Sequence, residues 1–201
     1  MNKLLTITIF LALSSLLFSC DNAKSITSSY KWPIIEGFPK PQVPDSNPMT
    51  VEKIALGKTL FFDKNLSANK QQSCENCHQQ KYAFAEPLTI SIGSTGEVHR
   101  RNAPALVNIA YNKTLTWAHD GITSLERQIL LPMFDESPIE LGITGHEDEV
   151  IERFKSEAYQ QAFHLAFPKE PISFELIVKA LASYVRSLIS LNSPFDKYAY
   201  L

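Results

Sequence analysis

Three residues within five positions carry the strongest chemical signal in the chain. Cys74, Cys77 and His78 lie in Ser73-Cys74-Glu75-Asn76-Cys77-His78, a C-x-x-C-H motif. On one helical turn, positions i, i+3 and i+4 share a face. Two thiols on that face can reach the two vinyl groups of a haem while the imidazole reaches its iron, which is the chemistry of c-type haem attachment. Two other chemistries use such residues. Zinc wants four ligands, and only one further cysteine, Cys20, exists among the three in the chain. A thioredoxin-like dithiol wants a βαβ context, which the pattern lacks. The spacing predicts one covalent haem c held by Cys74 and Cys77, with His78 as axial ligand.

An exported protein would suit that cofactor, and the chain starts as one. Lys3 supplies a positive charge, Leu4 to Phe18 form an apolar stretch too short for a comfortable membrane span, and small residues follow, as in a signal peptide over 1–19. Leu17-Phe18-Ser19-Cys20 resembles the lipobox of bacterial lipoproteins, which implies lipidation at Cys20, membrane contact through that anchor alone, and a periplasmic location. Residues 20–47 read as a polar tether followed by a proline-rich strap, with five of the 12 prolines between Trp32 and Pro48. A formal net charge of −2 gives no reason to expect nucleic acid as a partner.

The remaining elements must position the motif. With 44% hydrophobic residues in 201, one domain with a sizeable core is expected. Its periodicity is helical throughout, which predicts an all-α, cytochrome c-like haem domain with long loops over 48–196. Thr50 caps a helix carrying Val51, Ile54, Ala55 and Leu56. Pro104 opens a helix with Leu106, Ile109 and Ala110 inward. Thr123 with Glu126, and Thr144 with Glu147, read as capping boxes, and Pro132 closes the first of these helices. The longest helix spans Ser173 to about Leu191, with Phe174, Ile177, Val178, Leu181, Val185 and Ile189 on one face. Loops at Asp63–Ser73 and Tyr82–Arg101 are long for so small a domain, and a cofactor to pack against would explain them.

The ordered set of motifs resembles the bacterial di-haem cytochrome c peroxidase and MauG family. It comprises Leu56-Gly57-Lys58-Thr59-Leu60-Phe61-Phe62-Asp63, Leu66-Ser67, the haem motif, Ser91-Ile92-Gly93, Arg101-Asn102-Ala103-Pro104, Asp120-Gly121, Leu125-Glu126-Arg127-Gln128, Pro138-Ile139-Glu140-Leu141-Gly142 and Ser193-Pro194-Phe195-Asp196. The resemblance implies a two-haem enzyme whose N-terminal haem meets hydrogen peroxide and whose C-terminal haem takes electrons from a small donor cytochrome c or copper protein. This sequence matches the N-terminal half, with 197–201 at the start of the second domain and no second C-x-x-C-H. The resemblance assigns acid–base catalysis to Glu140, a peroxide contact to Gln128, an electron route to Trp117, and a calcium position to Asn102 whose other ligands come from the second domain. Spacing alone would leave Glu140 a surface loop acid, Gln128 an exposed helix residue and Trp117 a packed aromatic.

Three positions depart from that pattern. Ser94 stands where many relatives carry a distal histidine; His99, five residues on, either substitutes for it or is a solvated loop histidine, and the second fits its surroundings better. Ile122 stands where an arginine usually follows Asp-Gly, and His119 where a tryptophan usually precedes it. His146 and His164 read as structural or solvated. The function expected is reduction of hydrogen peroxide to water. The alternatives are a mono-haem electron carrier, a haem-binding remnant without turnover, and MauG-like oxidation of a partner protein.

Overall fold

A computed structural model describes residues 27–33, 38–117 and 120–200. Cys20, the apolar stretch before it and His119 lie outside the described residues. Among the described residues seven α-helices follow one another: α1 (Val51–Phe61), α2 (Cys74–Cys77), α3 (Leu125–Phe134), α4 (Glu147–Arg153), α5 (Glu157–Ala166), α6 (Phe174–Arg186) and α7 (Pro194–Tyr200), with 3-10 turns at Lys64–Leu66, Gln80–Tyr82 and Ile109–Tyr111. Among the described residues there are isolated antiparallel bridges but no β-strand. The all-α expectation holds.

The core forms where α1 lies along α6, with α3 and α5 packed on either side. Leu56, Leu60 and Phe61 of α1 meet Ile177, Leu181 and Val185 of α6, all buried. The α1–α6 approach is close because Gly57 has no side chain; a Cβ there would lie 2.0 Å from the Ala180 carbonyl oxygen. On the far side of α6, Arg186 donates to both carboxylate oxygens of Glu126 at 2.8 and 3.0 Å, and Asn47 adds an amide bond of 2.9 Å. Burial would raise the Glu126 carboxyl, but Asn47 and Arg186 hold it below the usual range. Asn47 also donates to the Lys179 carbonyl, and so ties the strap to α3 and α6.

Several helix boundaries differ from the sequence reading. Pro104 starts no α-helix: Asn108 sits at φ 61° in the left-handed region and bonds through its side chain to both backbone groups of Ser190, so only a 3-10 turn follows. Ser124, not Thr123, caps α3, and Glu126 turns to Arg186 instead of closing a capping box. Thr144 donates to the Phe134 carbonyl rather than capping α4, which starts after His146. α6 ends at Arg186, before Ile189, where the Asn108 amide takes the Leu188 carbonyl. Pro132 does not close α3, which runs on to Phe134. The carbonyls of Pro132 and Met133 instead accept the amides of Leu141 and Ile143, so the returning chain caps the helix.

Gly57→Ala is expected to lower the stability of the haem-loaded protein by about 1–3 kcal/mol, the usual cost of forcing a group into a packed core. Thermal unfolding reads this directly. An unchanged midpoint would show that α1 can draw back from α6 at no cost.

Candidate active site

α2 is a single turn whose start is fixed by the Asn76 side-chain oxygen, which accepts the Ser73 amide at 2.9 Å and the Ser73 hydroxyl at 3.1 Å. At its end the His78 amide bonds to the Cys74 carbonyl. Cys74, Cys77 and His78 all line one cavity of about 450 Å³. Its walls are mainly apolar: Phe61 from α1, Leu125, Ile129 and Met133 from α3, Leu181 and Val185 from α6, and Ala103, Pro104 and Leu106 from the connecting loop.

The imidazole of His78 is oriented by the backbone. Its Nδ1 lies 2.9 Å from the Phe84 carbonyl oxygen, which can only accept, so Nδ1 carries the proton and Nε2 keeps its lone pair for a ligand bond. Aiming that carbonyl takes unusual backbone: Ala83 and Phe84 are both left-handed, at φ 57° and 58°. Phe84 is anchored by burial against Phe61 and Tyr184. Burial holds the His78 ring below the usual imidazole range, against the carbonyls of Phe84 and Pro104 and the charge of Glu86. It is neutral at pH 7, as a metal ligand must be.

Both cysteines are free thiols. Burial, with Glu140 adding to it, pushes Cys74 up to about 12. Burial, then Glu86 and Glu140, pushes Cys77 to about 11. Protonated thiols of this kind are poor redox nucleophiles at neutral pH. Among the described residues no group of three or more His, Cys, Asp or Glu side chains gathers to hold a metal ion, at Asn102 or elsewhere.

Glu140 reaches the same cavity on a loop pinned from both sides. Its neighbour Leu141 hangs from the Pro132 carbonyl, and its own carbonyl accepts the Ser94 amide at 2.8 Å. The hairpin 91–99 fits closely beneath, since a Cβ at Gly93 would lie 1.7 Å from the Ile139 carbonyl oxygen. Burial, then the charges of Asp135 and Glu86, raise the Glu140 carboxyl from the ordinary 4.5 to about 7. Its side chain is 37% exposed. Gln128, on α3, lines the cavity too, and its amide oxygen is buried with no hydrogen-bond partner. A buried acceptor left open is rare unless a ligand meets it.

The structure therefore brings Cys74, Cys77, His78, Gln128 and Glu140 around one space, with Trp117 and Asn102 at its edge. Trp117 is half exposed, donates from its indole to the Asn102 carbonyl at 2.9 Å and lies under the Arg101 guanidinium. The sequence reading of His99 as a solvated loop histidine is wrong. Its side chain is only 12% exposed, lines the cavity and places Nδ1 3.9 Å from a Glu140 oxygen, because the hairpin turns it inward. Glu86 was not anticipated at all. It is buried, accepts the Ala103 amide at 2.6 Å and the Ser91 hydroxyl, and so joins two stretches of the cavity wall. An acid eight residues after a haem motif carries no local signal.

This geometry has relatives. The family model described as di-haem cytochrome c peroxidase matches residues 51–200. The chain belongs to that family. It is 37% identical over 159 residues to the methylamine utilization protein MauG of Methylorubrum extorquens, covering 78% of this chain and 43% of that protein. It is 35% identical over 185 residues to cytochrome-c peroxidase IdrP1 of Denitromonas iodatirespirans, covering 89% and 47%. A solved structure of a MauG-like protein associated with microbial copper homeostasis superposes with a TM-score of 0.82 at 42% identity, covering 84% and 49%. The chain thus spans about half the length of these relatives. Family membership implies haem c, and the cavity fits one: two free thiols and a neutral imidazole with an open lone pair face an apolar space that no side chain fills.

Glu140 also makes stability depend on pH. The folded carboxyl keeps its proton to about 7, whereas an unfolded glutamate loses it near 4.5, so folding is opposed progressively as pH rises through that window and constantly above it. Glu140→Gln removes the effect. Its melting temperature should pull ahead of the parent's between those pH values and then hold a constant lead. A pH-independent difference in a thermal-melt series would show that Glu140 ionises as freely as in water.

Proposed function

We propose that this chain is a peroxide-reducing haem domain of cytochrome c peroxidase type, with Cys74 and Cys77 as the haem attachment points and His78 as the axial ligand. One observation carries the reading: a carboxyl that changes protonation near neutral pH, Glu140, faces the same apolar cavity as the attachment motif and the open amide oxygen of Gln128. When bound, the haem supplies the iron and the electron-transfer chemistry. The protein's own part is to hold peroxide and move its proton. Gln128 Oε1 accepts an O–H of the peroxide and holds it in place. Glu140 takes a proton from one peroxide oxygen and delivers it to the other, so that water rather than hydroxide leaves. A carboxyl pushed to about 7 is matched to both halves of that task.

Electrons come from a small donor, a cytochrome c or copper protein, with Trp117 as the entry route: it is exposed on one side and lines the cavity on the other. The chain is exported to the periplasm and anchored by a lipid at Cys20. Among the described residues no helix is long and apolar enough to cross a membrane. A second reading, oxidation of a partner protein's side chain in the manner of MauG, is favoured by the 37% identity to MauG and the 42% identity to the MauG-like structure. It uses the same residues and differs in what supplies the electrons.

Expressed with a c-type maturation system, the protein should keep its haem through acid–acetone extraction. Cys74→Ala with Cys77→Ala should abolish that retention, and haem lost from the parent would sink the covalent assignment. In stopped-flow mixing with peroxide, Glu140→Gln should react about 10²–10⁴-fold more slowly while retaining its haem. Gln128→Ala should lose only about 0.5–1.5 kcal/mol, the net worth of one hydrogen bond. A Glu140→Gln protein within a few-fold of the parent would leave that residue a loop acid.

A further inference from the structure

Glu140 sits in a predominantly acidic surrounding. Asp135 and Glu86 both act on it with negative charge, and burial adds to them. Arg100 and Arg101 line the same cavity, but among the described residues neither forms an ion pair with Glu140. The basic group that does come within ion-pair reach is His99, its Nδ1 3.9 Å from Oε1. That is longer than a direct hydrogen bond and within the reach of one side-chain torsion.

The position of His99 is built. Its amide bonds to the Ser91 carbonyl at 2.9 Å, and the hairpin is closed by the Gly93 amide on the Glu97 carbonyl at 2.8 Å. The same hairpin grips the Glu140 loop twice more. The Ser94 amide donates to the Glu140 carbonyl, and the Glu97 carboxylate accepts the Ile139 amide at 3.0 Å. A Cβ on Gly93 would sit 3.5 Å from Nε2, so one edge of the ring packs on the hairpin while the other turns to Glu140. One element thus secures the backbone of the Glu140 loop and brings the His99 ring beside its side chain.

We propose that His99 is a positioning residue that shares a proton with Glu140, so that the carboxylate survives to lower pH than it would alone. The inference rests on the acid–base role proposed for Glu140. When the pair carries a single proton, that proton is shared between His99 Nδ1 and Glu140 Oε1, and whenever it sits on the ring Oε1 is free to accept one from peroxide. Glu140 then hands the accepted proton to the departing oxygen, and the pair returns to its starting state with no net proton consumed. Only a second proton silences the carboxylate. The titration belongs to the pair and not to either residue. In this way the hairpin supplies an imidazole to the acid.

The test uses the haem-loaded full chain. The rate of reaction with peroxide is followed across the acid-to-neutral range for the parent, His99→Gln, His99→Lys and Glu140→Gln. Cyanide affinity is measured over the same range, since cyanide enters as its acid and leaves its proton on a base in the cavity. His99→Gln keeps a polar side chain but cannot take a proton. Its acid limb should move up by about one pH unit in both measurements, about tenfold in rate below the limb, with the plateau little changed. His99→Lys keeps the charge, so its limb should stay at or below the parent's. A merely packed histidine would give variants that ignore charge. If the Gln and Lys limbs coincide, or the Gln profile overlays the parent while Glu140→Gln is slow, the pairing is wrong and Glu140's role survives. If Glu140→Gln reacts like the parent and keeps its acid limb, the underlying assignment fails, and the pairing with it.

Discussion

Protein interiors pack about as densely as organic crystals, so an apolar space of some 450 Å³ is tolerated only where something other than side chains fills it. That constraint governs this domain. Four of its helices line the space, yet none closes it: α1 contributes Phe61, α2 the attachment motif, α3 Gln128 and Met133, α6 Leu181 and Val185. The tight contacts lie elsewhere, at the Gly57–Ala180 crossing and in the Asn47–Glu126–Arg186 network. Both hold α1, α3 and α6 at fixed separation without drawing them into the cavity.

The two chemical parts of the wall are held by different devices. His78 is set by a carbonyl, and the carbonyl by two consecutive left-handed residues, Ala83 and Phe84, that a buried aromatic ring keeps in place. The strain sits next to the function it serves. Glu140 is set by the end of a helix. Proline at 132 has no amide hydrogen to give the Gln128 carbonyl, and because the helix ends at Phe134 the carbonyls of Pro132 and Met133 are left for the returning chain. The residue that reads as a helix stop is better described as the start of the hinge that carries the acid.

How much of this was legible follows from how local each signal is. The C-x-x-C-H turn, the Thr50 cap and the apolar face of α6 are written within a few residues, and the structure reproduces them. Motif order also named Glu140 and Gln128, and both line the cavity. What failed depended on partners distant in the chain. Asn108 looks like a helix residue until Leu188 and Ser190 claim its bonding groups. Glu126 looks like a capping acid until Arg186, sixty residues on, takes it. His99 reads from the sequence as a solvated loop histidine, and only the hairpin's fold shows that the ring turns inward.

Two carboxylates, Glu140 facing the cavity and Glu86 bonded behind its wall, take different courses for a reason visible in their bonds. Glu86 is supplied with donors by the Ala103 amide and the Ser91 hydroxyl, so its charge is matched by the wall it helps to build. Among the described residues no donor is bonded to the Glu140 carboxylate; its backbone is secured while its side chain is left open toward the space. An acid supplied with hydrogen-bond donors is structure, and a partly exposed one without them is poised to exchange a proton. The charge of Glu86 is among the causes that lift Glu140, so the acid that stabilises the wall also tunes the acid beside it. Replacing Glu86 would disturb the wall and the tuning together, whereas Asp135 acts on Glu140 through its charge, and the two contributions can be separated there.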